Sequence, residues 1–155
     1  MNHRRNIWKL GAGLVLLALP FVSQSQPSTD AIGYVKTVTG DAWVTTDGQR
    51  VKAQLGTAVL LGSQLKTGPA ATMGVSFKDN TVMSFGPDTE LTVDEYLYAP
   101  TQDQLRLHVN LSKGSLNYVS GVIAKLKSDA VTIKTPTGII GVRGTQFVAR
   151  VEEAQ

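Results

Sequence analysis

Between Gln104 and Ser112 the chain alternates strictly, with Leu105, Leu107, Val109 and Leu111 in one phase and Arg106, His108 and Asn110 in the other. A period of two over that length predicts a half-buried β-strand. Shorter runs repeat the pattern. Leu91 and Val93 alternate with Thr92 and Asp94, Val131 and Ile133 with Thr132 and Lys134, and Phe147, Ala149 and Val151 with Val148 and Arg150. Turn signals separate the runs: Thr39-Gly40-Asp41, Asp47-Gly48, Gly68-Pro69, Lys78-Asp79-Asn80, Gly86-Pro87-Asp88 and Lys113-Gly114. After residue 26 no segment sustains a helical period; Val122–Lys127 fits one helical turn or a short strand equally well. Many short strands with close turns predict an all-β single domain, β-solenoid-like or sandwich-like. Leu65-Lys66-Thr67-Gly68-Pro69 and Ile133-Lys134-Thr135-Pro136 look alike, but the likeness defines no repeat period.

The first 25 residues stand apart. Arg4, Arg5 and Lys9 precede the apolar run Leu10–Val22, which gives way to Ser23-Gln24-Ser25-Gln26. That order predicts a secretory signal peptide cut after about Ser25. A membrane span needs roughly 20 apolar residues, and this run is shorter and interrupted by Gly11, Gly13 and Pro20. Arg4-Arg5-Asn6-Ile7-Trp8-Lys9 loosely resembles a twin-arginine export signal, so the export route stays open. The expected organisation is a signal peptide over 1–25, a linker over 26–31, a β domain over 32–151 and a tail over 152–155. The expected location is periplasmic or secreted, with membrane contact only during export.

Processing changes the charge balance. The 155-residue chain carries 15 Lys+Arg and 12 Asp+Glu, for a net charge of +3. Removing residues 1–25 takes away three bases and no acid, which leaves 12 of each sign. A neutral chain with scattered charges has no electrostatic footprint for nucleic acid or anionic lipid.

Most catalytic chemistry fails by counting. There is no cysteine, and His108 is the only histidine after the signal peptide, so zinc sites lack ligands. His108 sits on the polar face of its strand, where a solvated or cross-strand-paired role is expected. No serine lies in a G-x-S-x-G elbow. Asp88/Glu90, Asp94/Glu95 and Glu152/Glu153 are adjacent acids, and Asp88/Glu90 reads as a turn residue beside an exposed strand position. No catalytic residue, metal site or cofactor is expected. Tyr96 and Tyr98, two apart on one face that Asp94 continues, are a candidate sugar platform.

The stretch Thr135–Phe147, TPTGIIGVRGTQF, places Arg143 among Gly138, Gly141 and Gly144. Glycine-rich phosphate cradles lead into a helix, whereas here Gly144-Thr145 leads into a strand. Architecture is the better reading: Pro136 ends a strand, the glycines permit a reversal, and Arg143 locks a turn against carbonyls or a carboxylate such as Asp79 or Asp88.

These residues also carry a resemblance. Val131-x-Ile133-x-Thr135-Pro136 followed by Val142-Arg143-Gly144-Thr145-x-Phe147 resembles the hallmark of the FecR-type periplasmic domain family. Leu61–Gly68 is similar to that family's turn before a strand pair, with Ser63 where aspartate is common. Phe77–Phe85 followed by Thr89–Val93 resembles a further family segment, and the similarity spans about Ile32 to Val151. It implies Thr135, Pro136, Arg143, Gly144, Thr145 and Phe147 as a structural motif in a domain without known catalytic residues. Founding members relay an iron-uptake signal through an anti-sigma domain and a membrane helix. This sequence shows neither, and so is similar to free-standing exported members.

The functional expectation is therefore a non-enzymatic β interaction domain for a protein partner in the periplasm or envelope. The alternative is a carbohydrate-binding module with a tyrosine/tryptophan platform. With few residues after Val151, the strand Gly144–Val151 is expected to expose an uncharged edge, Thr145, Gln146, Phe147, Val148 and Ala149. That edge would suit a partner or a second copy of the chain.

Overall fold

The computed structural model describes residues 30–144 and 146–152. The expected signal peptide and its cleavage point lie outside the described residues, as does Thr145. Twelve strands form: β1 (Gly33–Thr39), β2 (Ala42–Thr46), β3 (Gln49–Lys52), β4 (Ala58–Val59), β5 (Gln64–Thr67), β6 (Thr72–Phe77), β7 (Val82–Phe85), β8 (Glu90–Ala99), β9 (Gln104–Val119), β10 (Val131–Thr135), β11 (Gly138–Gly141) and β12 (Gln146–Val151). A short α-helix, α1 (Val122–Leu126), settles the ambiguity at Val122–Lys127 in favour of a helical turn.

The strands run in the order β3-β2-β5-β8-β9-β7-β6-β1-β4, a curled sheet closing as half a barrel. The all-β expectation holds. Every pairing among the described residues is antiparallel except β9–β10. Burial follows the pleat. Val44, Leu65, Leu91, Val93, Leu107, Val109 and Leu111 from one part of the sheet join Val35, Met73, Val75, Met83, Leu116 and Tyr118 from the other in one core. Phe77 of β6 stacks on Tyr96 of β8 with centroids 5.7 Å apart, which ties two distant parts of the curled sheet together.

The long strand β9 organises this core. Its odd residues Leu105 to Leu111 face inward, but beyond Gly114 the inward residues are the even ones, Leu116 and Tyr118. The phase changes where β8 slips register, Glu90 opposite Lys113 and Leu91 opposite Leu111, and where Gly114 takes φ +86°. Such a bulge bends a strand and increases its twist, so one strand serves both layers. Strict alternation stops at Ser112 in the sequence because the phase changes there; the strand continues.

A buried polar cluster joins the β6–β7 turn to β8 and α1. Asp79, wholly buried in the β6–β7 turn, accepts hydrogen bonds from the Thr81 hydroxyl (2.7 Å), the Tyr96 hydroxyl (3.2 Å) and the Ile123 amide (3.2 Å). Its backbone carbonyl accepts from the Val122 amide at 2.7 Å, and Thr81 Oγ1 accepts from the Gly121 amide at 3.2 Å. The first amides of α1, which lack partners within the helix, are thereby satisfied. Gly121 is required at this point, because a Cβ would collide with the Asp79 carbonyl and the Thr81 amide.

Beside this cluster the Tyr118 hydroxyl is buried near the Ser120 and Thr81 hydroxyls, and among the described residues no group meets it in good hydrogen-bond geometry. Leaving a polar atom unmatched costs more than deleting it. Tyr118→Phe is expected to leave the unfolding free energy at pH 7 unchanged, or to raise it by about 1 kcal/mol. Burial pushes the pKa of both Tyr118 and Tyr96 above the usual tyrosine value, and the Asp79 charge adds to the shift. The folded chain then holds protons that the unfolded chain releases near pH 10. This contribution is complete below about pH 10 and declines as pH rises beyond it. Tyr118→Phe should flatten that decline in urea melts taken from about pH 9 to 12; a variant as alkali-sensitive as the parent would contradict the assignment.

Candidate functional site

His108 and the Asp88/Glu90 pair lie in separate surroundings. His108 lies on the outer face with its Nδ1 3.4 Å from Glu95, which also pairs with Arg106 at 3.0 Å. The Arg106 hydrogen bond, with a smaller contribution from His108, holds the Glu95 carboxyl below its usual range. Asp88 occupies a turn with φ +50°, and Glu90 meets Gln64 and Lys66 across the strand. Among the described residues no three His, Cys, Asp or Glu side chains are grouped to hold a metal ion.

The sugar platform is corrected. Val93 pairs with Val109 and Glu95 with His108, so Asp94 is an extra residue that reverses the phase of β8. Tyr96 and Tyr98 do share a face, but it is the inner one. Tyr96 is only 9% exposed, with its hydroxyl held by Asp79 and its ring on Phe77, and Tyr98 packs against the core. Nor does Trp43 replace them, since the Arg50 guanidinium lies over its ring at 4.2 Å.

The C-terminal motif builds a cleft. β10 pairs in parallel with Leu107–Asn110 of β9, on the edge opposite β8. Thr135 and Pro136 then turn the chain, with Thr135 Oγ1 donating to the Gly138 carbonyl at 3.0 Å, and β11 returns along β10. Val142 is buried and its amide reaches the Val131 carbonyl at 3.2 Å, while Ser120 Oγ donates to the Gly144 carbonyl. β12 next pairs with Gly114–Val119 of β9, on the edge opposite β7. Phe147 stacks on Tyr118 at 5.1 Å and Ala149 is buried, as the alternation predicts.

β11 thus lies one strand further from β9 than β12 does. Among the described residues nothing pairs with the outer edge of β12, Gln146–Val151. The space between is a cleft of about 870 Å³ walled by β11, residues 142–144 and β12. Ile139 and Val148 on these walls are 71% and 72% exposed.

Arg143 departs from the expected turn lock. It is exposed, and no ion pair or side-chain hydrogen bond among the described residues engages it. Asp79 is instead consumed by the buried cluster. Residue-by-residue reading of the motif missed this role of Asp79; the signal was an aspartate two residues before a threonine in a turn, the pattern of a side chain that bonds its own backbone.

Ser63, the departure from the family pattern, is buried. Its Oγ accepts the Leu60 amide at 2.9 Å and pairs with the Thr46 hydroxyl, so it fills the turn-capping position that a carboxylate would. Among the described residues no helix is long and apolar enough to cross a membrane. No curated protein and no solved structure matches the chain. The model of the family described as FecR protein matches residues 63–155, more than half of the chain and everything from β5 onward, and the chain belongs to that family.

Proposed function

We propose that the protein is an exported, periplasmic, non-enzymatic interaction domain that binds a protein partner of the envelope through the outer edge of β12. Family membership supports a signalling-related role. The observation that carries the reading is the unpaired edge Gln146–Ala149, which bears no charge, beside a cleft with exposed apolar walls. Unpaired strand edges left uncharged are templates for strand addition, which chains otherwise block with charge or proline. Thr145 belongs to the proposed edge by sequence. The structural motif Thr135, Pro136, Arg143, Gly144, Thr145 and Phe147 then shapes the binding edge and performs no chemistry.

In-cell photo-crosslinking tests this reading. A photoreactive residue at Val148 should give a discrete adduct with one envelope protein, and one at exposed Lys36 should not. Exported protein that yields no adduct at Val148 would remove the edge as the contact.

A further inference from the structure

Resting on that reading, we infer that the cleft between β12 and the β10–β11 hairpin takes a single extended peptide segment, about five residues long, with apolar residues at alternate positions and acidic residues between them. The volume of the site argues for one strand. Each residue of a paired strand fills about 3.3 Å by 4.8 Å by 10 Å, or about 160 Å³, so the cleft volume corresponds to about five residues. β12, six residues long, offers a matching hydrogen-bonding edge. A second copy of the chain fits less well, because its β12 would bring β9 and the rest of its sheet against the hairpin wall.

The glycines supply an independent observation. Gly138, Gly141 and Gly144 all line the cleft, none has a positive φ, and a Cβ at any of them would meet nothing within 4 Å. The fold therefore gives no reason for glycine at these positions. Gly138 and Gly141 bound β11, where glycine that the fold does not require is a sign that another backbone approaches, and Gly144 extends the same open wall. The missing side chains keep the slot open.

Side-chain chemistry sets the kind of segment. A strand added to β12 would alternate between the face of Phe147, Ala149 and Val151 and the face of Gln146, Val148 and Arg150. The first is continuous with the core through the partly buried Phe147, Val151 and Ile140, and calls for apolar residues. Arg150 belongs to the second face and Arg143 lines the same cleft; both are exposed, with no ion pair among the described residues. Glu152 is the single acid among the described lining residues, at the far end of β12. Two guanidiniums lining a cleft whose single described acid lies at its far end favour carboxylates on the incoming strand.

The test uses the mature protein with two labelled seven-residue probes, one alternating valine and glutamate and one alternating valine and lysine. The valine–glutamate probe should bind and slow hydrogen exchange at Gln146–Val151, with the valine–lysine probe at least 10-fold weaker. The double change Arg143→Glu with Arg150→Glu should reverse that order. Because its Cβ meets open space, Gly141→Val should keep the parent's melting temperature and lose binding. Equal binding of both probes at β12 would overturn the charge assignment and leave the edge reading standing. Protection of β12 that rises with protein concentration in the absence of probe would make a second copy the occupant and overturn the peptide proposal. Binding of the valine–glutamate probe without protection of β12 would overturn the edge reading itself.

Discussion

Replacing Asp79 with alanine is expected to lower the unfolding free energy by about 3–5 kcal/mol. The substitution removes the acceptor for the Thr81 hydroxyl, the Tyr96 hydroxyl and the Ile123 amide, and leaves those donors buried. Each orphaned donor costs roughly 1–3 kcal/mol, and together they join the β6–β7 turn, β8 and α1. Asp79→Asn keeps the shape but presents an NH₂ group to one of the donors, so it should recover less than half of the loss. Urea unfolding with an unchanged slope measures this directly. A cost for Asp79→Ala below about 1 kcal/mol would show that the cluster does not anchor the turn.

The second large effect is expected at the bend of β9. Gly114→Ala should cost about 2–4 kcal/mol, because alanine there must take a positive φ and its Cβ collides with the Thr89 backbone and side chain. Thr89 cannot give way freely. Its Oγ1 accepts the Ser115 amide at 2.9 Å, and its own amide donates to Thr67 Oγ1 at 2.9 Å. Gly141→Ala is the control: with no neighbour near its Cβ and no positive φ, it should change stability by less than about 0.5 kcal/mol. Thermal melts of the two variants separate these outcomes. Equal losses would mean that the bend does not depend on Gly114.

Alternation made much of this fold legible. The phases of Leu105–Leu111, Leu91–Val93, Val131–Ile133 and Phe147–Val151 each correspond to an observed strand, since a side chain's face is fixed by the pleat alone. What stayed hidden depends on departures from the pleat. The bulge at Asp94 turned Tyr96 inward, and the bend at Gly114 carried β9 seven residues past Ser112, to Val119. A single extra residue reverses a face, and no periodicity announces it.

Longer-range pairing was equally out of reach. The parallel contact of β10 with β9 brings residues together from separate parts of the chain, and neither strand's composition signals it. At the site, the glycine spacing drew attention to the right stretch, and the strand phase of Phe147 and Ala149 was correct. The role assigned to Arg143 was not found in the described contacts. A guanidinium locks a turn only where acceptors converge, and convergence is a property of the folded chain.

The central claim is that the outer edge of β12 is unoccupied in the free protein and filled by its partner. Residue-resolved hydrogen exchange on dilute mature protein tests it most directly. Along Gln146–Val151, amides pointing to β9 should be protected and the alternate amides should exchange at nearly unprotected rates, while Leu116 and Tyr118 of β9 exchange slowly. Adding the crosslinked envelope protein in purified form should slow the alternate amides selectively. Uniform strong protection along β12 in the dilute free protein would contradict the account, because the edge would already be covered.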